Sequence, residues 1–205
     1  NAIATVSAVG GILPYTFTWN NGVVNDTITG LKAGTYTVTV ADSAGITVSG
    51  NVVIAEPTPI SITIDSVSIL CRGGNNGSLQ AIVSGGIPGY FYAWTGGTTA
   101  NPKTGLTSGT YVVTVTDANN CTTSVSANLS QPDSLIATIT STVPTSCFGA
   151  SDGQATVQAT GGTPNYTYAW STGSSISSSA TDLPAGNWTV TVTDANNCTT
   201  TTNLT

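Results

Sequence analysis

Polar and apolar residues alternate along much of this chain with the period of a pleated strand. Thr35-Tyr36-Thr37-Val38-Thr39-Val40 is strictly two-faced, and Trp188-Thr189-Val190-Thr191-Val192 repeats the pattern. Tyr15-Thr16-Phe17-Thr18-Trp19 and Tyr166-Thr167-Tyr168-Ala169-Trp170 set aromatics on one face, and Ile60-Ser61-Ile62-Thr63-Ile64 sets isoleucines there. Thr and Val are both β-branched and suit a pleated surface, with Thr toward water and Val toward a core. Gly-rich and Asn-rich turns separate these runs, and none carries a helical period over three turns. The pattern predicts an all-β protein.

The strands recur in a fixed frame. Gly10-Gly11, Gly85-Gly86 and Gly161-Gly162 lie 75 and 76 positions apart. Four residues on stand Tyr15, Tyr90 and Tyr166; four more bring Trp19, Trp94 and Trp170. Gly22, Gly97 and Gly173 follow, then Leu31, Leu106 and Leu183, then Gly34, Gly109 and Gly186. The next aromatic is Tyr36, Tyr111 or Trp188, and Asp42, Asp117 and Asp194 come six positions later. Prolines at Glu56-Pro57 and Gln131-Pro132 mark the junctions. They divide the chain into repeat 1 (1–56), repeat 2 (57–132) and repeat 3 (133–205). Repeat 1 starts late, because Asn1 corresponds to Asn76. Together with the absence of Met, this predicts an internal piece of a longer array.

About six or seven short strands per repeat predict a small β-sandwich, and linkers this short predict an elongated rod. Each repeat places a Trp on the strand after the Gly-Gly turn, where immunoglobulin-like sandwiches hold a core Trp. The Leu-x-x-Gly-x-Tyr stretches at Leu31–Tyr36 and Leu106–Tyr111 resemble the corner in which a Tyr hydroxyl ties down a loop. With Trp188 in repeat 3, that hydrogen bond is expected to change while the packing role survives. Trp19, Trp94, Trp170, Tyr36, Tyr111 and Trp188 are therefore the expected core aromatics.

Composition narrows the function. Only 6% of residues are charged, against about a quarter in an average soluble domain. The net charge is −6, with Lys32, Arg72 and Lys103 as the sole cations. A nucleic-acid binder needs a basic stripe, so that class is excluded, and an anionic membrane surface repels the chain for the same reason. No apolar run approaches the roughly 20 residues that cross a bilayer. No signal peptide is visible, so export is inferred from composition. With no His in the chain, nucleophilic catalysis lacks its usual base. Eight Asp and one Glu scattered over three repeats give little support for a glycosidase carboxylate pair. The expectation is a protein that is not an enzyme.

Four cysteines, Cys71, Cys121, Cys147 and Cys198, suit an oxidising compartment. Pairing within repeats, Cys71 with Cys121 and Cys147 with Cys198, leaves none over and is the favoured expectation. Each such loop would add about 3–4 kcal/mol in the chain-entropy model. Simple immunoglobulin strand order conflicts with it, because it puts Cys71 and Cys121 at opposite ends of the sandwich. Pairing Cys121 with Cys147 would strand Cys71 against Ile46. Zinc is not expected without close CxxC spacing or His.

The residues resemble a known family at this point. Repeat 3 carries Cys147-Phe-Gly-Ala-Ser-Asp-Gly153, Gly161-Gly-Thr-Pro-Asn-Tyr-Thr-Tyr-Ala-Trp170-Ser-Thr-Gly173, Leu183-Pro-Ala-Gly-Asn-Trp188 and Thr191-Val-Thr-Asp-Ala-Asn-Asn-Cys198. This is similar to the SprB-type repeat of Bacteroidota cell-surface adhesins, over repeats 2 and 3 and part of repeat 1. Gly-x-Tyr-x-Val-x-Val-x-Asp also resembles polycystic-kidney-disease-type sandwiches. The resemblance implies an extracellular scaffold on the bacterial cell surface, exported by type IX secretion and serving gliding motility or attachment. It brings no catalytic residues.

Other candidates carry less. The Asp-Ala-Asn-Asn turns offer Asp117, Asn119, Asp194 and Asn196 as calcium ligands; the alternative is a hairpin in which these side chains bond their own backbone. No other cofactor is expected. Asp-Ser/Thr-aliphatic tripeptides mark Thr27, Ser43, Ser66 and Ser134 as O-glycosylation candidates, since the pattern resembles the Bacteroidota acceptor motif. Expected partners are neighbouring repeats of the same chain or fibre, with surface glycans or host and substratum ligands as further candidates. Neither nucleic acid nor membrane insertion is expected. The expected function is a structural and adhesive stalk. One rival is a self-assembling fibre subunit whose repeat 1 accepts a donated strand. The other is a carbohydrate- or receptor-binding module, for which Ser174–Ala180 is the most divergent stretch.

Overall fold

The computed structural model of the chain describes residues 2–171 and 175–205. Asn1, Gly173 and Ser174, which figure in the sequence reading, lie outside the described residues. The chain divides into two compact units, Asn1–Pro59 and Ile60–Thr205.

The second unit holds two complete sandwiches. Repeat 2 contributes β6 (Ser61–Val67), β7 (Gly77–Ser84), β8 (Phe91–Trp94), β9 (Lys103–Leu106), β10 (Gly109–Thr116) and β11 (Thr122–Leu129). These form one antiparallel sheet in the order β6-β7-β9 and a second in the order β8-β10-β11. Repeat 3 repeats the plan with β12 (Ile136–Val143), β13 (Gly153–Thr160), β14 (Thr167–Trp170), β15 (Ser179–Leu183), β16 (Trp188–Thr193) and β17 (Thr199–Leu204). Its sheets run β12-β13-β15 and β14-β16-β17. This is the two-sheet immunoglobulin-like arrangement with six strands.

The alternating pattern becomes burial directly. On β10, Val113 and Val115 are fully buried while Val112 and Thr110 face out. They meet Ile69, Leu79, Ala81 and Leu106 from the opposite side, with Trp94 and Leu129 closing the core. Burying one such side chain is worth about 1.5–3 kcal/mol. In repeat 3 the core is Ala155, Val157, Ala180 and Leu183 against Trp170, Val190 and Val192.

The first unit has β1 (Ala2–Thr5), β2 (Thr16–Trp19), β3 (Thr27–Leu31), β4 (Gly34–Ala41) and β5 (Thr47–Ile54). β2-β4-β5 matches the second sheet of the other repeats, while β1 pairs with β3 alone. Ala4, Ile28 and Leu31 pack on Trp19, Val38 and Val40. A shift of register falls at the same place in all three repeats, between Ala2 and Ala4, Gly77 and Ser78, and Gly153 and Ala155.

Candidate functional site at the junction of two repeats

The repeated residues meet at one end of each sandwich. In repeat 2 the turn after β10 is Asp117-Ala-Asn-Asn-Cys121. The buried Asp117 carboxylate accepts from the N–H groups of Asn119 at 2.9 Å and Cys121 at 2.8 Å. Its other oxygen accepts from Ile87 N at 3.0 Å, tying the hairpin to the loop after Gly85-Gly86. Asp194 does the same with Asn196, Cys198 and Thr163 at 2.8, 2.9 and 2.8 Å. Asp42 does so with Ala44, Ile46 and Ile12.

These bonds set the acidity. The Ile87 N–H chiefly holds Asp117 below the ordinary carboxylate range, against burial, with Cys121 and Asn119 assisting. Burial raises Asp194, and the N–H groups of Thr163, Cys198 and Asn196 outweigh it, so its pKa is also lowered. For Asp42 the Ile46 and Ile12 N–H groups lead in the same direction. Carboxylates hydrogen-bonded by several backbone amides are favoured in the charged form.

The Gly-Gly pair serves this cage. Gly86 and Gly162 have φ of +62° and +57°, and a Cβ on them would lie 2.9 and 2.6 Å from Asp117 Oδ2 and Asp194 Oδ2. Only glycine fits both demands. The Tyr hydroxyl four residues after the pair donates back to the first glycine: Tyr90 to Gly85 O at 2.5 Å, Tyr166 to Gly161 O at 2.6 Å, and Tyr15 to Gly10 O. In the sequence these positions stand out as a period, which does not show that Gly, Tyr and Asp form one cluster. Their fixed co-occurrence in each repeat was the available signal.

In repeat 3 this cluster abuts the far end of repeat 2. The connection through Asp133 crosses over it, and Gly162 N donates to Asp133 O at 3.0 Å. The Asn196 amide donates to Leu70 O at 3.1 Å and to Thr163 Oγ1 at 2.9 Å. Beside it Cys198 is disulfide-bonded to Cys71, with Cα atoms 5.7 Å apart. Cys71 sits in a loop closed by Gly74 N on Cys71 O at 2.9 Å, Leu70 N on Asn76 Oδ1 at 3.2 Å and Gly73 N on Gln131 Oε1 at 2.8 Å.

This corrects the expected pairing within repeats. Cys71 lies in the loop between β6 and β7, at the base of the repeat 2 sandwich. Cys121 lies at its top, in the hairpin beside Gly86. Cys147 and Cys198 are separated in the same way, so neither pair can close. The bond instead joins the base of one repeat to the top of the next, and Cys121 and Cys147 are exposed free thiols. The conflict with strand order noted in the sequence was the correct signal.

Trp19, Trp94 and Trp170 are buried in the three cores. The Nε1 of Trp19 donates to Asn25 O and that of Trp170 to Ser177 O, both at 2.9 Å, while Trp94 Nε1 has no partner. Tyr36 and Tyr111 are half-buried, and their hydroxyls donate to Lys32 O and Thr107 O at 3.2 and 2.9 Å. Trp188 keeps the corner with a different donor, Nε1 to Pro184 O at 2.9 Å. Ser43, Ser66 and Ser134 are exposed, and Thr27 is half-buried with its hydroxyl on Thr5. Of the calcium candidates, Asp117 and Asp194 face backbone N–H groups, Asn119 is exposed, and Asn196 is engaged at the junction. Among the described residues no three His, Cys, Asp or Glu gather into a metal-binding group. Among the described residues no helix is long and apolar enough to cross a membrane.

A model of the family described as the SprB repeat matches residues 1–24, 63–99 and 139–175. One stretch in each of the three repeats thus matches the SprB repeat model. The second and third SprB matches run from the first strand of the repeat through the Gly-Gly turn and the core Trp, and leave out the Asp hairpin. Among solved structures, the chain is similar to Sidekick-1 immunoglobulin domains 1-4, at 14% identity and a TM-score of 0.37, covering 98% of this chain and 69% of that one. It is similar to the N-terminal eight immunoglobulin domains of Down Syndrome Cell Adhesion Molecule at 13% and 0.36, covering 92% and 31%. For the cadherin domains 1-4 of Protocadherin Gamma B7 the figures are 14% and 0.33, covering 99% and 70%. No curated protein matches the chain in sequence.

Proposed function

We propose that this chain is a length of extracellular stalk in a bacterial surface adhesin or filament, with a mechanical rather than a catalytic task. The observation that carries this reading is the junction between repeats 2 and 3. A single peptide link leaves two sandwiches free to swivel, whereas the peptide at Gln131-Pro132 together with the Cys71–Cys198 bond ties them at two points. A disulfide also fits an oxidising, extracytoplasmic setting. The SprB match supports a surface-adhesin type of repeat, and attachment or gliding is the role proposed for it.

Stretching the full chain from its ends tests the mechanical part. The bond encloses a sequence separation of 127, so reduction should lengthen the fully extended chain by roughly 420–460 Å. An extension unchanged by reductant would contradict the reading. Surface placement is tested by labelling intact producing cells with an antibody to the chain; labelling only after permeabilisation would refute it.

A further inference from the structure

The chain holds two open halves of the junction that Cys71 and Cys198 close. Cys147 stands in repeat 3 where Cys71 stands in repeat 2. Its loop is already built the same way, with Ala150 N on Cys147 O at 3.1 Å and Ser146 N on Asp152 Oδ1 at 3.0 Å. Cys121 stands where Cys198 does, with its N–H on the Asp117 carboxylate. Both thiols are free and exposed, whereas their two counterparts are bonded to each other. What distinguishes the bonded loop cysteine is its neighbour: Cys71 has the hairpin of a following repeat against it.

We infer that the base of repeat 3 is a docking face for the top of another repeat of this kind joined in tandem, and that Cys147 takes that repeat's hairpin cysteine in a disulfide. The incoming element is defined by its chemistry. It is an Asp-x-Asn-x-Cys hairpin, in which the Asp cage aims the cysteine and the Asn amide reaches a backbone carbonyl of the loop, as Asn196 reaches Leu70. The Ser146 carbonyl occupies the place of Leu70 in repeat 3. Which junctions are locked is then written in each repeat's hairpin. Repeat 1 has Ile46 at this position, 71% exposed on the same Asp-caged turn, and can dock without bonding.

Bond formation removes one hydrogen from each thiol. The two electrons and two protons pass to an external small-molecule disulfide such as oxidised glutathione, which leaves as two thiols.

The test extends the full chain after Thr205 with a second copy of residues 129–205, which keeps the strand register. Cys147→Ser in the appended copy leaves one loop thiol available. After refolding in a glutathione redox buffer, alkylation of the original Cys147 should fall at least tenfold relative to the unextended chain. Cleavage before Asp residues should release the 133–151 peptide joined to the last hairpin peptide. A second version with Cys198→Ile in the appended copy, mimicking Ile46, should keep the strand content of the first by circular dichroism but restore full alkylation. An unchanged alkylation rate in the first version, or Cys147 found joined to Cys121, would overturn the inference. The internal Cys71–Cys198 bond reports in every sample that repeats 2 and 3 have folded.

Discussion

Cys71 and Cys198 stand 127 positions apart and are bonded, while Cys71 and Cys121, in one repeat, stand at opposite ends of a sandwich. The relationship makes a junction, not a repeat, the covalently closed element of the chain. It also places the repeat's most constrained cluster, the second Gly, the Tyr and the Asp-caged hairpin, at the surface where two repeats meet.

The caged carboxylates predict acid sensitivity. Asp42, Asp117 and Asp194 have folded pKa values lowered from 3.8. A depressed folded pKa gives stability that is present above the unfolded value and lost as pH falls through the folded one. The melting temperature should hold between pH 7 and about 5 and drop below pH ~4. Asp117→Asn should lower the melting temperature at neutral pH and reduce the further loss in acid. Equal acid losses in parent and variant would show that the carboxylate is not the titrating support.

Gly162 and Gly97 separate two costs. Both have positive φ, but a Cβ on Gly97 meets nothing within 4 Å, whereas one on Gly162 meets Asp194 Oδ2 at 2.6 Å. Gly97→Ala should cost about 1–2 kcal/mol of left-handed strain. Gly162→Ala should cost at least about 1 kcal/mol more, because the carboxylate must leave its N–H donors. Denaturant midpoints measure both, and equal losses would contradict the proposed contact.

The three core tryptophans should respond unequally to substitution. Trp170 Nε1 bonds Ser177 O, while Trp94 Nε1 is buried without a partner. Trp170→Phe deletes a hydrogen bond and leaves a carbonyl unpaired. Trp94→Phe deletes a group that already bears its desolvation cost. The first should therefore destabilise the protein by about 1–3 kcal/mol more than the second. Chemical denaturation of both variants checks this, and a larger loss at Trp94 would reverse the assignment.

Much of the fold was legible because period-2 alternation maps directly onto two faces. Val113 and Val115 or Val190 and Val192 could point nowhere but inward. The repeat located the Trp cores and the tyrosine corner, and the change of donor at Trp188 was foreseeable from its indole. Disulfide connectivity was legible only in part: strand order sets Cys71 and Cys121 at opposite ends of a sandwich, but the actual partner depends on the neighbour stacked there. Counting cysteines within a repeat carries neither fact. Likewise the Asp-Ala-Asn-Asn motif reads first as a hairpin turn and only second as a ligand set, but nothing in it shows Ile87 and Thr163 as donors from another loop.

Peptide mapping of the oxidised, alkylated chain tests the central claim most directly. Cleavage before Asp65, Asp117, Asp133, Asp152, Asp182 and Asp194 puts each cysteine on its own peptide. The structure predicts that peptide 65–116 is joined to peptide 194–205, with peptides 117–132 and 133–151 carrying alkylated thiols. Peptide 65–116 joined to 117–132, and 133–151 to the last peptide, would mean that the repeats close upon themselves and the junction is unlocked.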